Sequence, residues 1–159
     1  MFLGDNGTDR DVVSLHTSGQ IPGRKGHTVK HGTHVPFIAQ GAGIKPTTYD
    51  GLGDLTDILP TLLDYAGATM PSDLDGHSLK GVFSGDSDPV REWIYCYYHP
   101  NWGTFKHTEY AFDKDFKLYS DGRLYHYQDD LEEANPLDPE EMEYSEVRQK
   151  LQKVLNSMK

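Results

Sequence analysis

Asp121–Gly122 stands between two aromatic-rich runs, "EYAFDKDFKLYS" and "RLYHYQ". That dipeptide between β-type segments favours a tight hairpin, because the positive φ such a turn demands suits glycine and is tolerated by aspartate. A hairpin here draws the preceding run "REWIYCYYH" toward the same sheet. An antiparallel meander is therefore expected over about residues 91–128. After "DDLEEANPLDP", the apolar positions Met142, Val147, Leu151, Val154 and Leu155 fall on one stripe, and a last helix is expected over 139–157.

The first half has a different character. The chain opens "MFLGDNG", barely three residues of strand before a turn, and is expected to cut into a strand of something larger. Residues 8–33 are polar and glycine-dotted, with no sustained period of 3.6 or 2.0, and read as one long excursion. In "HVPFIAQGAG", Val35, Phe37, Ile38 and Ala39 predict a short buried strand with Pro36 at its edge. A helix is predicted in "DLTDILPTLLDYAGA", with Asp57 as N-cap, Pro60 in the first turn and Gly67 as the stop. Its apolar face is expected to hold Ile58, Leu59, Leu62, Leu63 and Ala66. Strand followed by helix points to part of an α/β layer, and a boundary is expected in "FSGDSDPV", residues 83–90.

Composition narrows the function classes. With 25 Asp+Glu against 15 Lys+Arg, the net charge of −10 gives no support for a nucleic-acid or anionic-membrane partner. No run has the length of a membrane span, and no basic-then-apolar signal segment opens the chain. The one cysteine, Cys96, excludes an internal disulfide and a cysteine-based zinc cluster, and it is expected to be a half-buried strand thiol.

Two groups of residues carry candidate chemistry. Asp5 and Asn6 are hard oxygen donors for Ca²⁺ or Mg²⁺, or else the polar members of an Asx turn. The loop "GRKGHTVKHGTHVPF" gathers Arg24, Lys25, His27, Lys30, His31 and His34 in eleven residues. Such a cationic loop suits a sulfate or phosphate group, or else it is a solvated surface loop. Zinc at His27, His31 and His34 is disfavoured by the intervening Gly32 and the lack of a helical pattern.

The order "GDNG", then "GRKG-x4-HGTHVPFIAQGAG", then "DLTDILPTLLDYAGA", then "LDGHSL" resembles the C-terminal portion of a type I, formylglycine-dependent sulfatase. "WIYCYYHP", "FKLYSDGRLYHYQDDLEEANPL" and the final helix resemble that family's C-terminal subdomain. The family belongs to the alkaline-phosphatase-like superfamily. The fold class expected is therefore α/β: a partial alkaline-phosphatase-like strand–helix unit, then a small antiparallel sheet with a C-terminal helix. Residues 1–85 would be the C-terminal part of the catalytic domain and 86–159 the C-terminal subdomain.

The resemblance implies that Asp5 and Asn6 are metal ligands, usually to calcium, and that Lys25 contacts a sulfate oxygen of the substrate. A sulfate ester is the implied substrate, and many relatives are extracytoplasmic or lysosomal. The departures are specific. Lys30 stands where the family has glutamate, His31 where it has glycine, and His34 where it has arginine. The family's nucleophile arises from a C/S-x-P/A-x-R segment near its N-terminus. No such segment is recognised, Cys96 being followed by "YYHP". The chain alone is thus expected to be a fragment without turnover and with weak calcium binding at best. It is expected to self-associate through Phe2–Leu3 and Val35–Ile38. The alternatives are a fragment of a related phosphoesterase or phosphonate hydrolase, and a non-catalytic binding or assembly module.

Overall fold

The computed structural model describes residues 1–16, 19–41, 43–86, 88–101 and 103–158. Thr17 and Ser18 of the polar excursion, Ala42 of "HVPFIAQGAG" and Ser87 of the expected boundary lie outside the described residues. The chain forms two compact units, Met1–Ile38 with Tyr95–Lys159, and Ala39–Ile94.

In the first unit, β1 (Phe2–Leu3) pairs antiparallel with β4 (Phe37–Ile38), while β2 (Val13–His16) and β3 (Gly19–Pro22) form a hairpin. A single helical turn, α1 (Lys30–Thr33), precedes β4. The excursion over 8–33 therefore contains regular structure that its sequence pattern concealed. The strand in "HVPFIAQGAG" exists, but it is not buried. Ile38 is 60% exposed and Phe2, its partner in register, 62%.

The meander is as expected. β5 (Ile94–Tyr98), β6 (Thr108–Phe112), β7 (Phe116–Tyr119) and β8 (Leu124–His126) lie side by side in that order. Gly122 takes φ 92° in the β7–β8 turn, the conformation for which glycine is needed. Alternation along β7 divides its side chains between two environments. Leu118 is fully buried, as are Leu124, Leu151 and Leu155, and α4 (Ser145–Ser157) packs on β6 and β7. Each such leucine contributes about 1.5–3 kcal/mol by leaving water. Lys117 and Tyr119 point the other way, and Tyr119 joins Tyr110 and Tyr125 in an aromatic cluster touched by Cys96. Cys96 is half-buried on β5, as its neighbours predicted. The last helix begins later than 139, at Ser145 after a 3₁₀ turn Met142–Tyr144, and Met142 is 83% exposed rather than part of the buried stripe.

The second unit holds α2 (Ile58–Ala66) and α3 (Lys80–Ser84), packed around Leu79, Val82 and Phe83 with Ala39, Ile44, Tyr49, Tyr65 and Val90. Gly67 ends α2 as expected. Asp57 stands at the N-cap position of α2, as expected, but its side chain makes no cap bond to that helix; the side-chain cap lies one turn earlier, at Asp54. Asp54 accepts from Thr56 N–H at 2.8 Å, and Asp57 returns a bond from Asp54 N–H at 2.8 Å, which closes a capping box across a 3₁₀ turn. Asp57 is fully buried and ion-paired with Arg91. The apolar face also differs: Pro60 and Thr61 are buried, whereas Leu59 and Leu62 are each about half exposed. No helix among the described residues is long and apolar enough to cross a membrane.

Candidate functional site

The "GDNG" turn is tied to the basic loop through the backbone. Gly4 N–H donates to the Pro36 carbonyl at 3.0 Å, and Gly7 N–H donates to the Gly32 carbonyl at 3.1 Å. Gly7 is buried so tightly on α1 that a Cβ there would sit 2.6 Å from the His31 carbonyl oxygen. One residue on, the Thr8 carbonyl accepts Lys25 N–H at 3.0 Å, and Gly23 N–H reaches the Val12 carbonyl at 2.9 Å. Segments 4–8, 23–25 and 32–36 thus form one assembly, with Asp5, Asn6 and Lys25 exposed on it.

The side chains of Asp5 and Asn6 make no hydrogen bond among the described residues. A local Asx bond is made instead by Asp9, whose Oδ1 accepts Asp11 N–H at 3.1 Å. Two exposed hard oxygens not consumed by their own turn fit two positions of a divalent-cation shell. They do not make a complete site: among the described residues no three His, Cys, Asp or Glu gather to hold a metal. The zinc alternative loses its geometry as well. His27 lies edge-on to Phe105 at 5.4 Å, and His31 faces Glu132 at 3.9 Å. Desolvation, and then the charge of Lys30, lowers the His34 pKa.

The residues most involved in holding the basic loop come from the C-terminal sheet and the turn after it. Arg24 donates to Glu132 from Nη2 and Nε at 2.5 and 2.9 Å. Tyr98 OH donates to the Gly26 carbonyl at 2.6 Å, and Lys30 Nζ reaches Gln128 Oε1 at 2.5 Å. Lys117 Nζ donates to the Thr28 carbonyl and to Glu133 Oε1, the latter at 2.8 Å. Tyr119 OH donates to Glu133 Oε2 and lies 2.8 Å from Thr28 Oγ1. Lys117 and Glu133 are a buried pair, their side chains 4% and 5% exposed, and Lys117 Nζ lies 4.2 Å from the centre of the Tyr110 ring. Burial lowers the Lys117 pKa, with Glu133 opposing the shift, and burial first and Glu133 next raise that of Tyr119. A cleft of about 300 Å³ opens beside the loop, lined among others by His27, Tyr98, Phe105, Lys106, Arg123 and Glu132.

Sequence reasoning missed Lys117, Tyr119, Glu132 and Glu133. A faint signal was present: a lysine between Phe116 and Leu118 must face a second buried or aromatic surface if the strand is covered on both sides. One expectation needs correcting. "SDPVR", residues 87–91, does satisfy the C/S-x-P/A-x-R pattern. Ser87 is outside the described residues, and Arg91 is committed to the buried Asp57 carboxylate.

Comparison with known proteins agrees with this architecture. Arylsulfatase K of Rattus norvegicus is 39% identical over 70 residues, which cover 43% of this chain and 12% of that protein. A solved 2-O GAG sulfatase superposes with TM-score 0.67 at 25% identity, over 87% of this chain and 32% of its own. A protein solved with its substrate D-glucosamine-2-N,6-O-disulfate aligns with TM-score 0.53 at 27% identity, over 64% of this chain and 23% of its own. The chain thus spans about an eighth of the length of that curated relative and a third or less of the two structures. A family model described as "N-sulphoglucosamine sulphohydrolase, C-terminal" matches residues 29–159. With its α/β elements, its small antiparallel sheet and its closing helix, the chain belongs to this sulfatase C-terminal family.

Proposed function

We propose that the chain acts as the C-terminal portion of a sulfuric ester hydrolase, in which Asp5 and Asn6 bind a divalent cation, calcium, and Lys25 contacts the substrate sulfate. The observation that carries this reading is the backbone tie between the "GDNG" turn and the Lys25 loop, through Lys25 N–H to Thr8 and Gly7 N–H to Gly32. Asp5 and Asn6 would supply hard oxygens, and Lys25 a cation for the charge that grows on sulfate oxygen as the ester bond breaks. Bound there, a calcium ion would stabilise negative charge at the reacting group. Within this reading residues 1–85 belong to the catalytic α/β domain and 86–159 to its C-terminal subdomain.

Alone, the chain should not hydrolyse p-nitrophenyl sulfate, and calorimetric titration with calcium should show no tight site. Sub-micromolar calcium binding, or an aldehyde found at Ser87 by mass spectrometry, would overturn that part. In an intact sulfatase carrying this segment, Lys25→Ala should lower kcat/KM by about 10²–10³-fold. An unchanged value sinks the assignment. The same reading includes self-association of the chain through the exposed Phe2–Leu3 and Val35–Ile38 edge. Light scattering at micromolar concentration checks it, and a monomer counts against it.

A further inference from the structure

We propose that the C-terminal sheet sets the position of Lys25 through Thr28, with Tyr119 and Glu133 as positioning residues. This rests on the reading that Lys25 contacts sulfate. Thr28 is held at two atoms. Its carbonyl accepts Lys117 Nζ, and its hydroxyl meets Tyr119 OH at 2.8 Å. The direction of the second bond follows from proton inventory. Tyr119 has one hydroxyl hydrogen, which goes to Glu133 Oε2, so Thr28 Oγ1 is the donor to the tyrosine oxygen. Glu133 therefore orients both groups that grip Thr28, since it also binds Lys117 Nζ at 2.8 Å. It does so from φ 52°, an unusual backbone conformation for a residue that is not glycine.

Lys25 sits between this grip and the Thr8 carbonyl, three residues upstream of Thr28 in a loop that has no hydrophobic core of its own. A loop fixed at both ends pre-organises an exposed cation, which is what contact with a developing charge requires. The buried pair is costly to desolvate and adds little net stability over an apolar one. Its two polar arms onto one loop residue are better explained by positioning than by stability.

The test uses the full chain, with amide hydrogen exchange and titration by inorganic sulfate followed by NMR. Thr28→Val removes one donor and leaves the buried pair intact. Exchange at the His27 and Gly32 amides, which are bonded to the Arg24 and Val29 carbonyls, should rise about fivefold relative to the Leu118 and Leu151 amides. The apparent sulfate affinity read at the Lys25 amide should fall by about the same factor. Thr28→Ser should restore both, and Tyr119→Phe, which also takes a donor from Glu133, should loosen the loop at least as much as Thr28→Val. Unchanged exchange in the loop, an equal rise at Leu118 and Leu151, or loosened exchange with an unchanged sulfate response each overturns the proposal. Lys25→Ala should abolish the sulfate response and leave loop exchange as it is. If the response persists in Lys25→Ala, the sulfate contact itself fails, and the Thr28 exchange data still report the grip separately.

Discussion

Lys117 and Glu133 show how a single pair can join two distant stretches of sequence. Lys117 lies on the face of β7 opposite Leu118, buried among tyrosines, and its ammonium reaches Thr28, 89 residues earlier in the chain. Removing one partner strands the other charge in a site where both side chains are about 5% exposed. Glu133→Ala should therefore cost about 3–5 kcal/mol, whereas the double change Lys117→Met with Glu133→Gln should cost clearly less. Urea unfolding of the two variants checks this, and equal losses would mean that the pair is not the source of the cost. Gly7 makes a complementary case with no charge involved. A methyl group there would meet the His31 and Gly32 carbonyl oxygens at 2.6 and 2.7 Å, both backbone atoms that cannot rotate away. Gly7→Ala should cost about 1–3 kcal/mol, and a midpoint equal to that of the parent chain would show that the α1 turn yields.

Elements were legible where their cause is local. The β7–β8 turn follows from Asp121–Gly122, the end of α2 from Gly67, and the buried stripe of α4 from Leu151, Val154 and Leu155. They were not legible where the cause is distant. Asp57 stands where a cap residue should, yet its carboxylate serves the Asp54 and His77 N–H groups and Arg91, which lies 34 positions further on. Leu59 and Leu62 match a helical stripe, yet α2 buries Thr61, whose hydroxyl accepts Leu79 N–H at 2.9 Å. The same reason hid half of the candidate site. Asp5, Asn6 and Lys25 come from a motif order readable in one stretch, whereas their supporting contacts come from Tyr98, Lys117 and Glu133 across the chain. For the helix start, Asp54→Ala should cost about 1 kcal/mol as the loss of an ordinary cap. Asp57→Ala should cost about 3–5 kcal/mol, because it leaves Arg91, whose side chain is 8% exposed, without its counter-charge. Chemical denaturation followed by circular dichroism ranks the two, and the reverse order would restore Asp57 to a simple capping role.

At the scale of the whole molecule, the phenols buried in the larger unit limit stability at high pH. Burial raises the pKa of Tyr110 and Tyr119 well above the ordinary phenol range, and burial with Asp113 and Asp115 pushes Tyr127 up to about 12. Tyr127 also donates to the Asp113 and Lys114 carbonyls at 2.8 and 2.9 Å, bonds that a phenolate could not make. The sign follows from proton counts. Above pH 10 the unfolded chain loses these protons while the folded chain keeps them, so the folded state binds more and stability falls as pH rises. Each tyrosine contributes a slope of about 1.4 kcal/mol per pH unit between its unfolded and folded pKa values. Lys117 acts the other way, since its folded pKa is lowered from 10.5. Its window closes at that value, above which lysine is neutral in both states and the tyrosines alone set the slope. The chain should therefore lose stability steeply between pH 10.5 and 12, with Tyr110, Tyr119 and Tyr127 ionising together with unfolding rather than before it. Tyr127→Phe should flatten that slope by about one proton, as measured by urea midpoints across the range. Tyrosinate from all three residues in a chain that is still folded would show that the aromatic side of the sheet is open to solvent. The grip on Thr28 would then rest on Lys117 and Glu133 without the shielding that Tyr110 and Tyr119 provide.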